Sequence, residues 1–249
     1  MCGRYASSRR PEDLVEEFEI DKAEVKETLA PDYNVAPTKQ VYAVVERPGD
    51  PDSSTERQLR AVKWGLVPFW AKDPAIGNKM INARMETVAE KPAFKQPFAK
   101  RRCLLPADGY YEWYATQLTT KAGKPLKQPY FIHPKDGSSM AMAGLYEIWR
   151  DPTRDEDDPD RFLWTATVLT TTAEDAVGHI HDRMPLLVEP HRWSEWLDPS
   201  PKEKDALLGL LVPAAPGLLE AYPVSTAVNN VRNNGPELLE PLPLEEVPS

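Results

Sequence analysis

Short β-type segments separated by turn residues dominate this chain, and they limit its possible folds more than any other feature. Residues 40–46, 58–64, 101–105, 110–114, 130–133, 140–148, 162–170, 184–188 and 222–224 all have the β-branched, aromatic or alternating composition of strands. The 26 prolines are dispersed as turn punctuation and do not gather into one linker. Helical segments are fewer. Residues 11–18 carry Pro at a starting position with Leu14, Val15 and Phe18 on one side, and 173–178, 191–197 and 201–211 are further candidates. The expected fold is α+β, a single domain of mostly antiparallel, curled, barrel-like β-sheet with flanking helices. That domain is expected over residues 1–235, with 236–249 as a peripheral acidic and proline-containing tail. Two polar stretches, 46–55 and 151–160, read as exposed hairpin loops or insertions.

At 249 residues the chain can bury a substantial core. It has no run of about 18 apolar residues and no apolar signal segment, so a cytoplasmic protein without a membrane partner is expected. Cys2 and Cys103 are the two cysteines, which leaves no disulfide framework and fits a reducing compartment. His179 and His181 are spaced as a ligand pair could be. Without a Cys-x-x-Cys pair or a thiol at suggestive spacing, a metal site is not expected. A monomer is the default. The net charge of -9 argues against non-specific coating of nucleic acid. Locally the balance reverses: between Arg60 and Arg102 ten basic residues face three acidic ones. Arg4, Arg9 and Arg10 add a second cluster, and together these suggest a footprint for a polyanion beside the N-terminus.

Cys2 is the most reactive prospect. Removal of Met1 would expose an α-amine and a thiol on neighbouring atoms, a 1,2-aminothiol able to capture an aldehyde twice. The α-amine titrates near 7.7 to 8.0, against about 10.4 for lysine, so a usable fraction is unprotonated near neutrality. Glu112 lies in the aromatic run from Tyr110 to Tyr114, where a buried carboxylate needs pairing or acid/base work. Strand alternation puts it on the side of Tyr110 and Tyr114, opposite Tyr111 and Trp113. Either that side faces solvent, or it faces a pocket and Glu112 can shuttle protons. His181, followed by Asp182 and Arg183, could be structural or part of a charged site. Asn82 and Arg84 point the same way on an extended segment, and the fork of an arginine suits phosphate. Trp64 is expected in the core. Trp70, in the loop-like run from Val67, could stack on bases.

These segments together resemble the SOS response-associated peptidase family of abasic-site processing proteins. The matching residues are Cys2-Gly3-Arg4-Tyr5, Tyr33-Asn34-Val35-Ala36-Pro37, Trp64-Gly65-Leu66, Ile81-Asn82-Ala83-Arg84 with Glu86-Thr87, Ala107 to Trp113, Ile180 to Pro185, and Pro223-Val224-Ser225 with Val228-Asn229-Asn230. The resemblance implies that Cys2 bonds to the ring-opened aldehyde of an abasic site in single-stranded DNA as a thiazolidine crosslink. It further implies that Asn82 positions the amine and sugar, Glu112 moves protons, and His181 assists ring opening and reversal. Arg4, Asn34, Arg84 and Arg183 would hold the backbone, with Trp70 as a wedge or stacking residue. A weak strand-cutting lyase activity, self-removal of Met1, no metal or organic cofactor, and association with the nucleoid after damage are also implied. Two rivals stand beside this reading: an N-terminal-nucleophile amidohydrolase that uses Cys2, and a non-covalent reader of modified bases.

Overall fold

Val41, Ala43 and Val45 face one way and Tyr42 and Val44 the other, yet all five are buried, so this strand has a core on both sides. The explanation lies in the arrangement of the sheets. In a computed structural model, residues 2–48, 55–119 and 121–243 are described, the side chains of 175 and 176 excepted. They form strands β1 (Tyr5–Ser7), β2 (Lys22–Glu24), β3 (Asp32–Val35), β4 (Gln40–Pro48), β5 (Thr55–Trp64), β6 (Asn82–Arg84), β7 (Arg102–Ala107), β8 (Gly109–Thr119), β9 (Pro125–Pro134), β10 (Met140–Arg150), β11 (Phe162–Thr172), β12 (Arg183–Pro185) and β13 (Leu219–Pro223). The helices are α1 (Pro11–Glu17), α2 (Pro92–Lys100), α3 (Asp175–Gly178), α4 (Trp193–Leu197) and α5 (Lys204–Gly209). Among the described residues no helix is long and apolar enough to cross a membrane.

Strands β5, β4, β7, β10 and β11 pair in succession, and a short parallel pairing of β11 with β5 closes them into a ring. The remaining pairings inside this ring are antiparallel. Closure gives each strand an inner and an outer face. The inner face carries Val62, Trp64, Cys103, Leu105, Met142 and Val168. The outer face carries Val44, Leu104 and Leu145 under Phe18, Phe98, Trp193 and Trp196 from the helical segments. Arg102 ties that helical layer down. Only 1% exposed, it donates to the carbonyls of Phe98, Ala99, Trp196 and Asp198, so one buried cation satisfies the open C-terminal ends of α2 and α4.

A second sheet, in the order β13-β9-β8-β1-β3, lays Tyr5, Val35, Tyr110 and Ile132 against the ring's inner cluster. Its other face, with Tyr111 and Phe131, is covered by Val224, Val228 and Leu238. The expected curled, mostly antiparallel α+β domain is therefore present, with the expected strands in place. Two details differ. The segment at 184–188 keeps regular strand geometry only in β12, although Leu186 and Val188 continue the ladder to Leu169 and Ala141. The first part of the expected peripheral tail is packed: Leu238 is buried, Tyr222 donates to the Leu239 carbonyl, and the Leu242 amide donates to Pro223. Burial of one leucine outweighs the polarity of its glutamate neighbours. Residues 244–249 of that tail, and 49–54 of the first insertion, lie outside the described residues. The second insertion, 151–160, is an exposed turn-rich loop between β10 and β11.

Candidate active site around Cys2

Strand β1 fixes the start of the chain. Tyr5 pairs with Val35 on one side and Tyr110 on the other, and the Tyr111 amide donates to the Arg4 carbonyl at 2.9 Å. Cys2 is thereby held in the inner cluster with no exposed surface. A second strand reaches it from far along the chain: β6 runs parallel to β11 with Asn82 opposite Val168, and the Asn82 amide donates to the Cys2 carbonyl at 2.8 Å. Burial pushes the Cys2 thiol well above its ordinary value, and the negative charge of Glu112 pushes it further the same way. The thiol is protonated at neutral pH.

Glu112 is 4% exposed and lies on the side of β8 that carries Tyr110 and Tyr114 against the inner cluster. Tyr111 and Trp113 pack on the opposite side. Of the two alternatives open from sequence, the solvent-facing one is excluded. Tyr110 reports the same neighbourhood, since its phenol is raised first by burial and then by the charges of Cys2 and Glu112.

His181 sits between α3 and β12, in a turn whose Val177, Ile180 and Met184 join the cluster that contains Cys2. Its Nδ1 accepts the Arg183 amide at 3.0 Å. The Asp182 carboxylate, 87% exposed, lies 3.0 Å from the same Nδ1.

The residues expected to hold DNA divide into three kinds. Arg84 and Trp70 are exposed. Arg84 makes no salt bridge among the described residues. Trp70, 48% exposed, projects with Phe69 from a loop pinned at both ends, where Val67 donates to Thr165 and the Trp149 indole donates to Ala71. Gly65 makes that loop possible: its φ is +126°, and a Cβ there would lie 2.6 Å from the Gly77 carbonyl oxygen. Trp64 is fully buried, as expected, and donates to the Ile81 carbonyl next to Asn82.

Arg4 and Arg183 are half-committed. Arg4 donates to Asn34 Oδ1 at 2.7 Å and to the Val228 carbonyl, and lies 5.7 Å from the Trp113 ring. Arg183 is tied to the Thr170 carbonyl and, through both terminal nitrogens, to Glu86. Asn34 is the third kind. It is fully buried, and its amide donates to the carbonyls of Val228, Asn230 and Asn233. This corrects the expectation of a direct backbone contact: Asn34 orients Arg4 and fastens the C-terminal segment. The cationic stretch is likewise smaller at the surface than in sequence. Arg102 is buried, and Arg101 pairs with Glu147 at 2.6 Å.

Glu86 is the participant whose part sequence reasoning missed; only its place in the run Asn82-Ala83-Arg84-Met85-Glu86 pointed to the region. A cavity of about 540 Å³ lies between Glu17, Met140, Val188, Trp193 and Leu218, and none of Cys2, Asn82, Glu112 and His181 lines it. Among the described residues no group of three His, Cys, Asp or Glu side chains is placed to hold a metal ion.

Residues 1–231 match the family model described as SOS response associated peptidase. The chain is 41% identical to the abasic site processing protein YoqW of Bacillus subtilis over 96% of this chain and 99% of that one. It is 35% identical to the abasic site processing protein YedK of Escherichia coli, over 97% and 100% respectively. The crystal structure of a protein from Bacteroides thetaiotaomicron superposes with a TM-score of 0.78 at 25% identity, covering 97% of this chain and 100% of that one. With its match covering Cys2, Asn82, Glu112 and His181, this chain belongs to the SOS response associated peptidase family.

Proposed function

We propose that the protein processes abasic sites in single-stranded DNA by bonding covalently to them through Cys2. The observation that carries this reading is the convergence of Asn82 and the Glu112 charge on one buried residue next to the chain start. The names of the relatives point to the same substrate. Hydrolytic loss of Met1 frees the Cys2 amine. The unprotonated amine adds to the aldehyde carbon of the opened sugar, and loss of one water gives an imine. The thiol then adds across the C=N bond, sulfur to carbon, and its proton passes to nitrogen. The ring closes with one water released in all and no change of oxidation state.

The raised thiol sets the order. A protonated sulfur is a poor first nucleophile, so the amine attacks first and the thiol follows on the more electrophilic imine. Glu112 is the base that takes the thiol proton and returns it to nitrogen. His181 assists as the sugar opens, by passing a proton to the ring oxygen. Diversion of the imine into elimination would give a weak lyase activity. Arg84 and Trp70 meet the strand directly, Arg4 and Arg183 hold phosphates from their anchored positions, and Asn34 acts through Arg4. A monomer working in the cytoplasm on damaged DNA near the nucleoid fits this role.

Incubation with a single-stranded abasic oligonucleotide, then denaturing electrophoresis, tests the reading. A heat-stable shifted band, lost in Cys2→Ala, is expected. An N-terminal-nucleophile hydrolase would instead turn over amides without retaining DNA, and a non-covalent reader would give no band; either result sinks the proposal.

A further inference from the structure

The Arg183 side chain is 11% exposed, and its guanidinium is fixed from behind by the Thr170 carbonyl at 2.6 Å and hydroxyl at 3.2 Å. Its outward fork is filled by the two oxygens of Glu86, Nη1 to Oε1 at 2.6 Å and Nη2 to Oε2 at 3.0 Å. This is the two-pronged geometry that a phosphate would use. Glu86 itself is 46% exposed. Arg183 holds its carboxyl below the usual range, with a smaller contribution from Arg84, so it stays charged at neutral pH. Arg84 stands two residues away on β6, opposite Thr170, the residue that anchors Arg183.

We infer that Glu86 is a phosphate mimic that covers Arg183 in the free protein and must swing out before a DNA phosphate can occupy the fork. This rests on the proposed DNA-binding reading of the site. Its consequence is selectivity by subtraction. Glu86 weakens the reversible grip on any strand, so undamaged DNA leaves quickly, and only a lesion that reacts with Cys2 is retained. Glu86 is thus a positioning residue that acts through Arg183 and not on the reacting atoms. Salt carries its signature: a phosphate that binds an open arginine releases a counterion, whereas one that displaces Glu86 exposes a carboxylate that recruits a cation and partly cancels the release.

The test uses an undamaged 20-mer of thymidylate, which has no aldehyde and reports binding alone. Glu86→Gln and Glu86→Ala, each checked for an unchanged melting transition, are expected to bind it about two- to fivefold more tightly than the unmodified protein. The slope of log affinity against log salt should steepen by about 0.7. In an Arg183→Ala background the same substitutions should change neither quantity. Unchanged or weaker binding by both variants, or tightening that survives without Arg183, would overturn the inference. If the unmodified protein binds the oligomer but never crosslinks an abasic strand, the functional proposal fails while the masking of Arg183 by Glu86 stands.

Discussion

The side-chain amide of Asn82 holds the Cys2 carbonyl at 2.8 Å, while its own carbonyl oxygen is buried with no hydrogen-bond partner among the described residues. An orphaned buried acceptor costs about 1 to 3 kcal/mol, and a terminal amine at Cys2 is a donor that could relieve it. Asn82→Ala is expected to slow crosslinking at least about tenfold through loss of orientation. Stability should change by less than about 1 kcal/mol, because the orphan goes with the bond. Single-turnover kinetics beside thermal melts would check both, and an unaltered rate would separate Asn82 from the chemistry.

Glu112→Gln keeps the shape of the side chain and removes its charge. Crosslinking should slow by about 10² or more, the scale of a lost acid/base group. The same change should lower the Cys2 thiol toward its ordinary value, because the Glu112 charge is the second contribution to its elevation after burial. An unchanged crosslinking rate would remove Glu112 from the mechanism.

The pH profile of capture should follow the amine and not the sulfur. With the thiol raised well above 9.0, its ionisation lies beyond the working range, whereas an ordinary α-amine loses its proton at about 7.7 to 8.0. The single-turnover rate is expected to rise about tenfold per pH unit below that point and then level off. A rate that keeps climbing above pH 9 would identify the thiolate as the first nucleophile.

Two neighbouring tryptophans should separate stability from binding. Trp64 is fully buried and Trp70 is 48% exposed. Trp64→Ala should destabilise by about 3 to 5 kcal/mol. Trp70→Ala should leave the melting transition nearly unmoved and weaken single-stranded DNA binding by about 1 to 3 kcal/mol. Equal effects of the two changes on stability would contradict the loop geometry.

Alkaline stability follows from the two buried thiols. Cys2 and Cys103 are both raised above 9.0 by burial. The unfolded chain therefore ionises first, and the stability present below its thiol pKa is lost as pH rises toward the folded values. Each thiol contributes a slope of at most about 1.4 kcal/mol per pH unit. Denaturant titrations at pH 8 and 9.5 should show the fall, and Cys103→Ala should shallow it; a flat profile would refute the burial of both groups. At higher pH the buried phenols of Tyr5 and Tyr110, also raised, steepen the loss.

The long strands were legible because alternation over many residues reports burial directly, and the same rule placed Glu112 on the correct face of β8. Strands β1, β2, β3 and β6 span three or four residues each, too few to show a period. The parallel contact that closes the ring, Thr165 with Lys63 and Ala166 with Trp64, joins residues about a hundred positions apart and leaves no local mark. Asn34 misled for a related reason. A polar residue between tyrosine and valine looks like a surface contact, and the carbonyls that consume it lie at 228–233. Arg183 is given a backbone-holding part by the family resemblance alone, and its occupant Glu86 is 97 positions away.

The β10–β11 loop has a practical use. It leaves the ring beyond the pair Arg150 and Phe162, whereas Asn82 sits opposite Val168 on the same strand. About 20 Å of strand separates the two points. A fluorophore or affinity handle grafted into 151–160 would therefore ride on the rigid wall of the ring without entering the chemistry, leaving the chain start unmodified for single-molecule observation of capture.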